Sequence, residues 1–108
     1  LRYSSKISIP EIMDVNFAYN IKLEEFAKLS GRSLSTFQRD FKKEYQTSPS
    51  KWLLKRRLDY AKILLETTDN TINGVAFESG FEDTSHFIRA FKSVYGTTPL
   101  KFKQASTV

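Results

Sequence analysis

The chain carries one pattern twice, and that duplication narrows the folds open to it more than any other feature. An A-x-x-x-G opening, Ala27 to Gly31, recurs as Ala76 to Gly80. Each copy continues into an F-x-R-x-F-K block, Phe37 to Lys42 and Phe87 to Lys92, and then into Tyr45 to Trp52 and Tyr95 to Phe102. The offset is 49 residues at the glycines and 50 from the phenylalanines onward, so the second copy holds one extra residue in its turn. A small side chain where two helices approach, followed four residues later by a glycine that reverses the chain at low steric cost, describes a helix-turn-helix. Two matched copies predict two such units.

Helix punctuation extends this to seven helices and no strand. Pro10 opens the first as a first-turn proline, and an apolar face continues to Asn20. The second runs from about Lys22 to Ser30, with Glu24 and Glu25 favouring its positive dipole end, and Gly31 stops it. Ser33 caps the third, in which Leu34, Phe37, Phe41 and Tyr45 form one stripe. Ser48-Pro49 and Thr98-Pro99 are one start signal used twice, launching a long helix to about Glu66 and a short one to about Gln104. Thr71 opens the fifth helix, which ends at Gly80, and Asp83 caps the sixth, through Tyr95. The expected fold is all-α: two homeodomain-like helix-turn-helix subdomains joined by a long linker helix. Residues 1–9 read as a connector from an N-terminal region outside this chain, 10–47 as the first subdomain, 48–68 as the linker and 69–105 as the second. Ser106 to Val108 are expected to fray.

Composition removes several function classes. With no Cys there are no thiolate metal sites, disulfides or cysteine nucleophiles. The acidic residues are scattered, no glycine-rich loop could cradle a phosphate, and the one histidine, His86, has no ligand or catalytic partner, so no enzyme, metal or cofactor is expected. No apolar run approaches the length of a membrane span and the start lacks the charged-then-apolar pattern of a signal peptide, so a cytoplasmic protein is expected. The net charge of +5 is uneven: residues 1–30 hold four basic and four acidic side chains, whereas residues 31–108 hold thirteen and eight. A polyanion would meet the later part of the chain.

With Phe37, Phe41 and Tyr45 turned inward, helix three presents Ser35, Thr36, Arg39, Lys42 and Lys43 outward, with Gln38 on the flank. The same projection of helix six presents Ser85, His86, Arg89, Lys92 and Ser93, with Ile88 on the flank. Arg pairs bidentately with guanine, Gln with adenine, hydroxyls adapt, and flanking lysines neutralise phosphates. These are the side chains that a major-groove helix needs. The repeated Phe residues belong to the core, and Trp52 is expected as a buried anchor of the linker helix rather than a stacking platform.

The stretches V-A-F-E-S-G-F, S-H-F-I-R-A-F-K and Y-G-T-T-P-L-K-F-K within Ile72 to Lys103, together with R-L-D-Y-A-K-I-L-L from Arg57 to Leu65, resemble the AraC/XylS family of bacterial transcription regulators. The resemblance covers about Asp14 to Gln104. It implies sequence-specific binding to double-stranded DNA, with the third and sixth helices in successive major grooves. It assigns base reading to Ser35, Gln38, Arg39, Thr84, Ser85 and Arg89. Phosphate contacts are expected from Arg32, Thr36, Lys42, Lys43, Arg57, His86 and Lys92. A linker of about 17 residues spans roughly 25 Å at 1.5 Å per residue, which with the attached units suits grooves roughly 34 Å apart. RNA polymerase is an expected partner, while effector sensing and dimerisation are expected in the N-terminal part.

Four positions depart from the pattern. Gln46 stands where the second copy has Gly96, so the first turn must strain slightly or use a different geometry. Gly74 lies within helix five, where glycine costs about 1 kcal/mol relative to alanine. Phe102-Lys103 replaces the family's Tyr-Arg, losing a phenol hydrogen bond while keeping the packing. The competing functions are a helical protein-interaction module docking on RNA polymerase or another acidic partner, and a nucleoid-type non-specific DNA binder.

Overall fold

The structure is a computed structural model that describes residues 6–106; residues 1–5 of the expected connector, and Thr107 and Val108 of the expected frayed end, lie outside the described residues. Among the described residues there are seven α-helices and no strand: α1 (Ile9–Asn16), α2 (Leu23–Leu29), α3 (Leu34–Tyr45), α4 (Pro49–Thr67), α5 (Ile72–Glu78), α6 (Thr84–Tyr95) and α7 (Pro99–Ser106). The all-α, seven-helix expectation is met. Contacts group the described residues into two units, one of residues 6–17 and 21–54, the other of residues 18–20 and 55–106.

In the first unit, α1, α2 and α3 pack on one another. Met13, Phe26, Phe37 and Phe41 are fully buried there, and Ala27 is the small buried side chain of α2. The turn between α2 and α3 is built by backbone bonds, Gly31 N–H to the Lys28 carbonyl at 2.9 Å and Arg32 N–H to the Ala27 carbonyl at 3.0 Å. Gly31 sits at φ 74°, the left-handed conformation its role requires. Ser33 then caps α3 by accepting from the Thr36 N–H. The segment ahead of α1 is fastened to this same turn: the Ile7 N–H donates to the Ser30 carbonyl at 3.1 Å, and the Ile7 carbonyl accepts from Arg32 Nη1 at 2.8 Å.

Helix α1 ends four residues before the expected Asn20. The Asn16 side-chain amide takes up the Ile12 carbonyl at 2.9 Å, and the Phe17 N–H closes on Met13. Beyond it the Tyr19 carbonyl accepts from Arg57 Nη2 at 2.9 Å.

In the second unit α5 and α7 each pack on α6, and Leu58, Leu65, Val75, Phe87 and Phe91 are fully buried. Its turn repeats the first: the Phe81 N–H reaches the Ala76 carbonyl at 2.9 Å, as Arg32 reaches Ala27. Phe81 is therefore the counterpart of Arg32, and the extra residue is Glu82, inserted just before the cap Asp83. Gly74 falls in the first turn of α5, where its N–H donates to the capping Thr71 hydroxyl at 3.0 Å. A Cβ there would come within 3.2 Å of that oxygen, so the glycine helps seat the cap.

The two α-helical ends at Tyr45 and Tyr95 turn in the same way. Gln46 adopts φ 59° and ψ 26°, Gly96 φ 76° and ψ 3°, and each donates its N–H to the carbonyl three residues before the helix end at 2.8 Å, Lys42 or Lys92. The first turn thus uses the glycine geometry with a non-glycine residue. Left-handed backbone costs an L-residue roughly 1–2 kcal/mol, and the Gln46 side chain offsets part of this by donating to the Lys43 carbonyl at 3.2 Å.

Candidate nucleic-acid interface

On α3 the outward face carries what was expected of it. Ser35, Gln38, Lys42 and Lys43 are exposed, Thr36 is half-buried, and the Arg39 side chain is 66% exposed. Arg39 Nε lies 3.8 Å from Asp40 Oδ1, the weak end of ion-pair distance, so little holds it back from another acceptor. The Thr36 hydroxyl, by contrast, accepts from the Ser33 hydroxyl at 3.0 Å within the cap.

On α6, Ser85, His86, Arg89 and Lys92 are exposed and Thr84, its first residue, is half-buried. Arg89 has no ion-pair partner among the described residues, since the place of Asp40 is taken by Ala90. His86 lies edge-on to the Phe81 ring at 5.5 Å, which props it beside the turn.

Two of the expected phosphate contacts turn inward instead. Arg32 is 11% exposed: its Nε donates to Asp40 Oδ2 at 2.9 Å and its Nη1 to the Ile7 and Ser30 carbonyls at 2.8 and 3.2 Å. With three of its five donors engaged and its side chain largely buried, it ties the turn to α3. The hydrogen bond from Arg32 holds the Asp40 carboxyl below its ordinary range against the opposing effect of desolvation, with the charges of Lys6, Arg32 and Arg39 adding to it. Arg57 is likewise drawn in, donating to the Tyr19 carbonyl, and its burial lowers its pKa. Its guanidinium fills the space that the missing side chain of Gly80 leaves open.

Asp40 and Asp59 are the acids around which these cations are organised, and neither belongs to the outward faces expected to meet DNA. The repeat itself held the signal for the first: the first copy has Arg32 and Asp40 where the second has Phe81 and Ala90. A charge pair in one unit is exchanged for a ring in the other, and Phe81 packs on Phe87 at 5.1 Å. Asp59 accepts from Lys55 Nζ at 2.7 Å and from the Tyr95 hydroxyl. Burial pushes its carboxyl up, but the bonds from Lys55 and Tyr95 and the charges of Lys55 and Lys62 outweigh that and leave it below its ordinary range.

Trp52 packs as the expected anchor, 5.3 Å from Tyr45 and edge-on to Phe41 at 6.0 Å, but it is half-buried rather than buried. Phe102 keeps its packing on Phe91 at 5.7 Å, and Lys103 Nζ donates to the Asn70 carbonyl. Among the described residues no helix is long and apolar enough to cross a membrane.

Comparison with known proteins agrees with this geometry. Residues 26–105 match the family described as helix-turn-helix domain. The HTH-type transcriptional regulator ExsA of Pseudomonas aeruginosa is 34% identical over 92 residues, covering 85% of this chain and 33% of that protein. The chain thus spans about a third of the length of the curated relatives it matches. Among solved structures, the DNA-binding domain of the global transcriptional factor AdpA, in complex with a target DNA, superposes with a TM-score of 0.83 at 26% identity, covering 90% of each chain. A transcriptional regulator of Chromobacterium violaceum, described as an AraC-type DNA-binding domain-containing protein, gives a TM-score of 0.77 at 25% identity over 92% of this chain and 91% of that one.

Proposed function

We propose, from the premise that this chain belongs to the AraC-type family of helix-turn-helix transcription regulators, that it binds double-stranded DNA sequence-specifically, with α3 and α6 as reading helices in successive major grooves. The family is one of DNA-binding regulators, not of enzymes. The single observation that carries the reading is the exposure of Arg39 and Arg89 at matched positions on two capped helices, beside exposed Lys42 and Lys92. Ser35, Gln38, Arg39, Thr84, Ser85 and Arg89 meet base edges; Thr36, Lys42, Lys43, His86 and Lys92 meet phosphates. Arg32 and Arg57 act behind them, holding the turns.

The faces agree only in part, with Gln38 against Ile88 and Thr36 against His86, so the two helices read different bases and the site is asymmetric. Selection from a random DNA pool tests this at once. The expected outcome is an asymmetric sequence with two half-sites about 10 bp apart, bound at nanomolar scale and released steeply as salt rises. Enrichment of no sequence, or salt-independent binding, would falsify the reading.

Contact with RNA polymerase is the second reading. Phe77, 79% exposed on α5, is the surface position at which this reading can be tested. Phe77→Ala should then leave DNA affinity intact and lower transcription from a bound promoter. In a longer protein, effector sensing and dimerisation belong to segments other than these helices.

A further inference from the structure

Helix α6 ends on Tyr95, and α4 grips that residue from its edge and its face. The phenol donates to Asp59 Oδ1, and the same oxygen accepts from Lys55 Nζ at 2.7 Å. Lys62 Nζ stands 4.6 Å from the centre of the Tyr95 ring and 5.5 Å from that of Phe102, with Lys55 Nζ at 5.7 Å from Tyr95. Asp59 is the only acid between Lys51 and Leu65, a stretch holding five basic residues. In the first unit the counterpart Tyr45 rests on the rings of Phe41 and Trp52 at 4.4 and 5.3 Å, and its hydroxyl has no hydrogen-bond partner among the described residues. The terminal tyrosine of one reading helix is held by rings alone, that of the other by rings and a charge-assisted hydrogen bond, which is directional and roughly twice as strong as a neutral one.

We propose that Asp59 is a specificity-determining positioning residue for the second unit: it fixes the setting of α6 through Tyr95 and keeps the Lys55 ammonium from indiscriminate phosphate contact. The inference rests on the DNA-binding reading above. Its leverage is geometric. At 1.5 Å per residue, the segment from Ser85 to Arg89 lies roughly 9–15 Å along α6 from Tyr95, so a swing of about 10° at that end displaces a base-facing atom by about 2 Å. Hydrogen bonds to base edges tolerate only a few tenths of an ångström. Lys55 acts in the other direction, because an unpaired ammonium raises affinity for every sequence alike and so dilutes discrimination.

The test uses the whole chain, the sequence it enriches from a random pool, two versions of that sequence with one half-site scrambled in each, and a random duplex. Binding is measured well below the melting midpoint, with circular dichroism confirming that each variant is folded. The half-site read by α6 is the one whose scrambling abolishes the effect of Arg89→Ala. Tyr95→Phe is expected to lower affinity for the enriched sequence about 5- to 10-fold, with no loss once the α6 half-site is scrambled. Asp59→Asn is expected to show that loss together with about 2- to 3-fold tighter binding to random DNA and a salt slope steeper by about one ion. Variants that melt earlier but keep the wild-type ratio of enriched to random binding would overturn the proposal, and Asp59→Asn alone decides it if Tyr95→Phe does not fold. Should the wild-type chain enrich no sequence, the DNA-binding reading itself fails, a result distinct from wild-type specificity in the variants.

Discussion

Replacing each turn glycine of the second unit by alanine separates two costs that the residue type conceals. Gly96 has φ 76°, and a Cβ placed there would meet nothing within 4 Å. Gly96→Ala therefore carries only the penalty of left-handed backbone, about 1–2 kcal/mol. Gly80 has φ 101°, and its Cβ would lie 2.8 Å from Arg57 Nε and 3.1 Å from the Ala18 carbonyl oxygen. Neither neighbour yields cheaply, since the oxygen is backbone and the guanidinium is held by the Tyr19 carbonyl. Overpacking of this kind adds about 1–3 kcal/mol, and loss of a hydrogen bond from a charged group can add about 1.5–3 kcal/mol. With the shared backbone penalty Gly80→Ala should thus cost about 3.5–8 kcal/mol, which is about 2.5–6 kcal/mol more than Gly96→Ala. Thermal unfolding reads the difference at roughly 4–8 °C per kcal/mol for a chain of this size, so Gly80→Ala should melt at least 10 °C below Gly96→Ala. Equal midpoints would refute the assignment of Gly80 to a close approach. The reverse change, Gln46→Gly, relieves strain but enlarges the entropy of the unfolded chain, and should gain only about 0.5 kcal/mol.

Arg39→Ala should relax base preference at one position, at about 1–3 kcal/mol in a competition series of single base changes. Lys42→Ala should instead weaken all sequences alike and flatten the salt slope by about one ion. Asp40 has a folded pKa below its ordinary 3.8, so the stability it contributes is present above about pH 4 and is lost as pH falls through the folded value. Asp40→Asn should accordingly remove part of the acid limb in a series of denaturant midpoints and leave the limb above pH 5 parallel to wild type. Ser33→Ala, which deletes the hydroxyl capping α3, should cost about 1 kcal/mol by urea unfolding.

Local chemistry made the helices legible. Ser33, Thr71 and Asp83 cap the helices expected of them, and Pro49 and Pro99 stand at first helical positions, because capping depends on neighbours within four residues. The end of α1 was not legible, since there the Asn16 side chain takes up the Ile12 carbonyl, which the apolar periodicity of the segment does not report. The outward faces of α3 and α6 followed from the stripe of aromatic residues opposite them. Sign of charge, however, does not reveal whether an arginine points out or in. Arg32 and Arg39 look alike in sequence, yet the first is committed to Asp40 and two carbonyls while the second stands in solvent. Comparing the two copies position by position, Arg32 with Phe81 and Asp40 with Ala90, separates them without coordinates.

The fastening of Ile7 bears on how the first unit responds to mechanical load. A pull applied ahead of Ile7 is taken up first by the Ser30 carbonyl and the Arg32 guanidinium, and α1 cannot peel until both bonds have parted. Arg32 is also bonded to Asp40 on α3, so tension reaches that helix through one side chain and bypasses the apolar interior. A force probe gripping residue 6 should therefore register the turn yielding before the helices separate.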